Sequence, residues 1–196
     1  VCYTGTGVAN QAVTHNLGVS PELIIVKARN TSIDPDVNRW VVYHIALGTT
    51  NLILNSNSEL ASSYITGGNA TVFRVAYGAS TTNINYVAYL FATLAGISKV
   101  GSYTGNGTTQ TINCGFSTGA RFVLIKRTDS TGDWYVFDTA RGMTTLTDPY
   151  LLLNSTAAET ATLGAVTTTS VGFALNSAIL AAINVSAGTY IYLAIA

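Results

Sequence analysis

Two tryptophans mark the places where this sequence could do chemistry. Trp40 is followed by Tyr43 and His44, and Trp134 by Phe137 and Asp138, so each cluster sets aromatic rings beside a polar group within the length of one strand. Aromatic faces with a polar neighbour are how proteins stack on sugars, so Trp40, Tyr43, His44, Trp134 and Asp138 are the candidate ligand or partner contacts. A tryptophan that opens an apolar strand is also a core residue, and that reading stands beside the first. His15 and His44 could begin a metal site, but the matching residues further on are Cys114 and Asp138, and no third ligand accompanies them. Hydrogen-bonded strand-end roles suit both histidines better. Asp34, Asp36 and Asn38 have the spacing that opens a calcium loop, yet Arg39 stands where the sharp-turn glycine belongs and no acid closes the loop. Glu59 and Glu159 are the acids that clearly recur; glycoside hydrolysis needs two carboxyls about 5 to 9 Å apart in a cleft, and each of these follows an Asn-Ser pair suited to a turn. Gly5-Thr6-Gly7 and Gly105-Asn106-Gly107 look like the start of a dinucleotide fingerprint but lack its third glycine and its helix, which makes them turns. The sequence therefore nominates no catalytic residue, no metal and no cofactor.

These clusters recur because most of the chain is written twice. Tyr3-Thr4-Gly5-Thr6-Gly7 returns as Tyr103-Thr104-Gly105-Asn106-Gly107, and Leu23-Ile24-Ile25-Val26-Lys27 as Phe122-Val123-Leu124-Ile125-Lys126. Leu52-Ile53-Leu54-Asn55 returns as Leu151-Leu152-Leu153-Asn154, and the run from Tyr86 to Ala92 returns at Tyr190 to Ala196. A period near one hundred residues far exceeds the roughly 20 to 50 of solenoid and propeller units, so each copy is expected to be a domain with its own core. Residues 1–92 form the first repeat and 99–196 the second, joined by a short, partly apolar linker at 93–98 that predicts close packing of the two. The copies differ by compensating insertions, Asp34–Asn38 in the first and Thr144–Asp148 in the second.

The elements that must position these residues read as strands. Short runs of Val, Ile, Leu, Tyr and Thr are punctuated by Gly, Asn and Ser, and no window holds a capped helical period; a short helix competes only at Ile179–Ile183. Strands are predicted at Ala12–His15, Leu23–Ala28, Trp40–His44, Asn51–Asn55, Ala70–Ala76 and Asn85–Phe91. Their counterparts are Gln110–Cys114, Arg121–Arg127, Asp133–Asp138, Tyr150–Asn154, Ser170–Leu175 and Thr189–Ile195. Leu23–Val26 and Phe122–Ile125 are apolar on both faces, the mark of strands buried between layers. The fold class that follows is all-β: two tandem antiparallel β-sandwich domains, jelly-roll-like and related by internal duplication.

Composition narrows the function classes. Apolar residues make up 48% and charged residues 9%, against roughly 25% charged in an average domain, so Ser, Thr, Asn and Gly must cover the surface. Such a surface suits an extracellular or particle-forming protein. Nine basic and nine acidic residues cancel without a basic run, which argues against nucleic-acid binding. No apolar stretch is long enough for a membrane helix, so no membrane insertion is expected. The start at Val1 suggests a processed form or a piece of something longer. Cys2 and Cys114 fall at non-equivalent places in the two copies and are expected to be buried free thiols.

The run from His15 to Lys27, then Trp40-x-Val42-Tyr43-His44-x-x-x-Gly48 and Leu52-x-Leu54-Asn55, resembles an uncharacterised repeat domain of bacteriophage virion structural proteins of the tail-fibre type. The second copy keeps the scaffold but replaces the histidine, the Pro-Glu pair and the Tyr-His pair with Cys114, Ala120-Arg121 and Phe137-Asp138. The resemblance implies a non-catalytic virion component, a fibre segment or capsid decoration. Its partners would be other virion proteins and copies of itself, commonly as a trimer, and its place the virion, assembled in the host cytoplasm. A carbohydrate-binding module that recognises a host surface glycan is the alternative.

Overall fold

A computed structural model describes residues 1–196 apart from 31, 33, 59–62 and 144–147, and divides the chain into two compact units, Val1–Ala92 and Thr93–Ala196. The described residues form sixteen strands, eight per unit, with three short 3-10 turns and no α-helix. In the first unit these are β1 (Cys2–Thr4), β2 (Gln11–Thr14), β3 (Leu23–Ala28), β4 (Trp40–His44), β5 (Leu52–Ile53), β6 (Ile65–Gly68), β7 (Val72–Val75) and β8 (Asn85–Phe91). In the second they are β9 (Ser98–Thr104), β10 (Thr109–Asn113), β11 (Phe122–Arg127), β12 (Trp134–Asp138), β13 (Tyr150–Leu152), β14 (Val166–Thr169), β15 (Gly172–Asn176) and β16 (Thr189–Ile195).

Each unit is an antiparallel β-sandwich of a five-stranded and a three-stranded sheet. The orders are β1-β8-β3-β4-β5 with β2-β7-β6, and β9-β16-β11-β12-β13 with β10-β15-β14, the same topology twice. The first strand pairs the last in one sheet and the second pairs the seventh in the other, the nesting of a jelly roll. The third, fourth and fifth then stay together as a meander, which widens one sheet at the expense of the other. Equivalent side chains fill the space between the sheets: Ile24, Val26 and Tyr43 meet Ile65, Phe73 and Val75 in the first unit, while Val123, Ile125 and Phe137 meet Val166, Phe173 and Leu175 in the second. Burying one such side chain contributes about 1.5–3 kcal/mol, so these facing rows are what hold each pair of sheets together. The central strands β3 and β11 are hydrogen-bonded on both sides and buried for most of their length, as their unbroken apolar runs predict.

Four strands lie outside the sequence-predicted set. β1 and β9 run into the Gly-x-Gly turns, β6 carries two glycines, and β14 is a Thr-rich edge whose alternation is weak. Gly101 sits inside β9 because the Tyr192 ring lies against it: a Cβ there would meet ring atoms at 2.6 Å. At the matching pair of the first unit the sizes are reversed, with Val1 opposite Ala88. Residues 93–98 belong to the second unit, where Leu94 and Ser98 exchange backbone hydrogen bonds at 3.0 and 2.9 Å around a turn at Gly96, and Ser98 opens β9. The competing helix at Ile179–Ile183 is a single 3-10 turn over Ala181–Ile183, equivalent to the turn at Tyr77–Ala79. Both cysteines are free; Cys114 is buried, but Cys2 is exposed, because β1 is an edge strand.

Candidate functional site

The side chains that recur at equivalent places are turned toward the backbone. Tyr3 and Tyr86 stack at 5.1 Å between ring centroids, and Tyr103 and Tyr190 at 4.8 Å. In each pair one hydroxyl donates to the last carbonyl of the 3-10 turn (Tyr3 to Ala79 at 2.7 Å, Tyr103 to Ile183 at 2.6 Å). The other donates to the carbonyl one residue earlier while accepting from the N–H just beyond the turn: Tyr86 bridges Gly78 and Thr81, Tyr190 bridges Ala182 and Val185. Burial, reinforced by the neighbouring phenol, pushes the Tyr3 and Tyr103 hydroxyls well above the ordinary range, so both remain donors at neutral pH.

The Gly-x-Gly segments lock onto the same turns. A Cβ on Gly5 or Gly105 would lie 2.1 Å from the carbonyl of Thr81 or Val185, and Gly7 and Gly107 adopt φ of 74° and 72°. Three further devices recur. Lys27 and Lys126 donate to the carbonyl two residues before the following tryptophan, Asn38 at 3.0 Å and Gly132 at 2.7 Å. Asn55 and Asn154 accept from the N–H of Trp40 and Trp134 at 3.1 and 2.8 Å. Asn30 and Asp129 accept from the first N–H of β8 and β16 at 3.1 and 3.0 Å. A bidentate hydrogen bond from Arg127 holds the Asp129 carboxyl down at about 2.

The residues nominated from sequence fall mainly into this framework. Trp134 is 1% exposed and Tyr43 7%, with Tyr43 in the layer between the sheets, so neither presents a ring face to solvent. Trp40 is half-buried. His44 is fully buried, and its Nδ1 accepts from the N–H of Ala46 to cap the 3-10 turn at Ile45–Leu47. Asp138 does the same work in the second unit, accepting from the Arg141 N–H at 2.8 Å and pairing with the Arg141 guanidinium. The two histidines do not lie across neighbouring strands. His15 follows β2 in the three-stranded sheet, its Nε2 on the Asn69 carbonyl at 3.0 Å and its Nδ1 accepting from Leu17, whereas His44 ends β4 in the five-stranded sheet. In the would-be calcium loop Asp34 accepts from the N–H of Asp36, Asp36 pairs with Arg39 at 3.0 Å, and Asn38 folds back onto Ser32. Glu159 is a surface partner of Arg141 at 3.6 Å, and Glu59 lies outside the described residues.

Two features had no signal in the sequence. One is a buried clamp ahead of the sixth strand of each sandwich. Asn51 accepts from the N–H groups of Tyr64 and Ile65 at 2.7 Å each, and Asp148 accepts from Gly164 and Val166 at 2.6 and 2.8 Å. The other is the concave surface of the first unit, a cleft of about 460 Å³ between the His15–Leu17 turn and the outer half of β8, Ala88–Phe91. Tyr89, 48% exposed, lines it together with Val1. A cleft of this size can take a small polar ligand.

Residues 1–196 match a family described as a domain of unknown function (DUF7483), and the chain belongs to that family. The match spans both sandwiches. No curated protein and no solved structure matches the chain.

Proposed function

We propose that this chain is a non-catalytic structural component of a bacteriophage virion, a fibre segment or capsid decoration. It acts through contacts with other virion proteins and with copies of itself. One observation carries this reading: the polar side chains shared by the two units are spent on holding backbone, which leaves surface shape as the working part of the molecule. The uncharged polar surface that follows from 9% charged residues supports it, since low charge permits close association with neighbouring chains. The sequence resemblance supplies the phage setting. The glycan-binding alternative loses its best rings to burial at Tyr43 and Trp134, leaving Tyr77 and Tyr89 as the exposed tyrosines. Mass spectrometry of purified particles, sedimentation of the isolated chain and a glycan array test the reading together. Presence in the particle, a discrete oligomer and no glycan affinity are expected; a monomer that binds sugar and is absent from particles would overturn it.

A further inference from the structure

Asn106–Gly107 is the one Asn-Gly step in the sequence, and both residues are exposed in the turn that follows β9. Asparagine before glycine is where a chain most readily modifies itself, because glycine puts no side chain in the way of the attacking nitrogen. The Gly107 nitrogen gives up its proton and bonds to the Asn106 Cγ, the Cγ–Nδ2 bond breaks, and the amide nitrogen leaves as ammonia. Water then opens the cyclic imide at either carbonyl, which leaves aspartate or isoaspartate at this position; no oxidant or reductant takes part. In the fold each reacting group is held elsewhere. Gly107 donates its N–H to the carbonyl of Asn184 at 3.0 Å, and the Asn106 Oδ1 accepts from the Thr108 N–H at 2.9 Å and from the Asn184 Nδ2 at 3.1 Å.

Asn184 has no solvent exposure and closes on this segment from both ends: its Oδ1 accepts from the Asn106 N–H at 2.9 Å, and its Nδ2 also donates to the Thr108 carbonyl. It ends the 3-10 turn Ala181–Ile183, to whose carbonyls Tyr103 and Tyr190 donate. The first unit is built otherwise at the same place, with Thr6 for Asn106 and Ser80 for Asn184. Gly7 still donates to the Ser80 carbonyl at 2.6 Å, but the Ser80 hydroxyl donates to the Gln11 Oε1 at 2.6 Å, and that oxygen accepts from the Thr6 N–H at 3.1 Å. The matching Oε1 of Gln110 is buried without a hydrogen-bond partner among the described residues. The copy with the reactive amide thus leaves a glutamine acceptor bare, at a cost in stability, and grips the turn through Asn184 instead. We propose that Asn106 is a site of spontaneous deamidation and that Asn184 is the positioning residue that holds it closed in the folded chain. Reaction requires Asn184 to leave the Asn106–Thr108 segment, so conversion follows the opening of this one turn. An isoaspartate adds a carbon to the main chain between Gly105 and Gly107, so a turn that has reacted does not close as before. The inference goes beyond the assembly reading and does not rest on it.

The full chain is incubated in mildly alkaline buffer, folded and in urea, and conversion at Asn106 is followed by mass-spectrometric peptide mapping with isoaspartate resolved by chromatography. The Asn184 side chain makes three hydrogen bonds to the segment, and at roughly fivefold for each net bond the folded chain should convert on the order of a hundredfold more slowly than the unfolded one. Equal rates overturn the proposal. Asn184→Ser, the residue that the first unit carries in the same turn, removes the side-chain grip and keeps the main-chain bond from Gly107; conversion in the folded variant is expected to rise roughly tenfold or more. Asn154–Ser155 in the same unit is the internal reference, and its rate is expected to stay as it is in the parent. An unchanged Asn106 rate in the folded variant overturns the role of Asn184, as does a rise that Asn154 shares, since opening would then belong to the whole unit. The comparison of folded with unfolded parent needs no substitution, so it decides the matter even where Asn184→Ser does not fold.

Discussion

Replacing Tyr103 by phenylalanine removes one hydroxyl and keeps the ring stack with Tyr190. That hydroxyl donates at 2.6 Å to the carbonyl of Ile183, a residue with no solvent exposure, so the substitution leaves a buried acceptor without its donor. An orphaned buried acceptor costs about 1–3 kcal/mol, and the upper half of that range applies because no water reaches the site. The equivalent change, Tyr3→Phe, removes a 2.7 Å bond to Ala79 from a ring that is half-buried, and about 1 kcal/mol is expected. For a unit of about one hundred residues, 1 kcal/mol moves the melting temperature by roughly 4–8 °C. Tyr103→Phe should therefore lower the second unit's transition by about 8–24 °C, and Tyr3→Phe should lower the first unit's by about 4–8 °C. Calorimetry of the full chain, with urea titration followed by tyrosine fluorescence, measures both. If Tyr103→Phe stays within about 0.5 kcal/mol of the parent, or Tyr3→Phe proves the costlier change, the claim that these hydroxyls anchor the 3-10 turns is wrong.

Thiol titration of the native chain should show one fast cysteine, the exposed Cys2; Cys114, buried and with its thiol pushed up to about 11 by burial, should react only on unfolding, and two fast thiols would contradict the buried position. Alkaline stability follows from the tyrosines: burial raises Tyr3, Tyr103 and Tyr192 above the ordinary 10.0 and Tyr135 to about 12, so the folded state holds these protons more tightly than the unfolded chain. Their contribution is complete below pH 10 and is lost as pH rises toward the folded values, so the urea midpoint should fall steeply above about pH 10, in step with tyrosinate absorbance; a flat midpoint would refute it. Gly101→Val and Tyr192→Ala should each destabilise the second unit by about 2–4 kcal/mol, the first through overpacking against the ring and the second through a cavity. Their combination recreates the Val1–Ala88 pair of the first unit and should cost at least about 1 kcal/mol less than the sum, whereas additivity in urea unfolding would show that the two positions do not compensate.

The duplicated sandwich was legible because strand signals are local and the repeat supplied each one twice: Leu23–Ala28 and Trp40–His44 have the bounds that the sequence predicts. β1 and β9 were not, since Tyr-Thr-Gly-x-Gly shows its turn chemistry plainly while the preceding strand gains its identity only from its partner, β8 or β16. The aromatic clusters misled for a related reason. Tyr43 and His44 share a strand, yet Tyr43 faces the layer between the sheets and His44 turns its ring to the next backbone N–H, and only the register fixes which neighbour lies on which face. The Asn51 and Asp148 clamps were invisible because they are not equivalent in sequence. Each closes a loop across a span of 13 to 18 residues, and such a long-range hydrogen bond leaves no periodic trace.

Two copies of one framework make divergence informative. A residue retained in both copies serves the sandwich, as the tyrosine stacks and the Lys-to-carbonyl bonds do, whereas a difference at an equivalent position is free to serve something else. Several differences of the first unit meet along one edge: His15 where the second has Cys114, Leu90 where it has Ala194, and the Val1–Ala88 pair where it has Gly101 and Tyr192. In the second unit that edge is closed by its own strand, with Tyr192 packed edge-on against Phe173 at 5.4 Å and Val100 buried beside Leu193. In the first it is lined by Val1, His15 and Ala88–Phe91, around a cleft. The second unit thus acts as the internal reference for the first: where side chains at equivalent positions part, the shared framework does not dictate the choice.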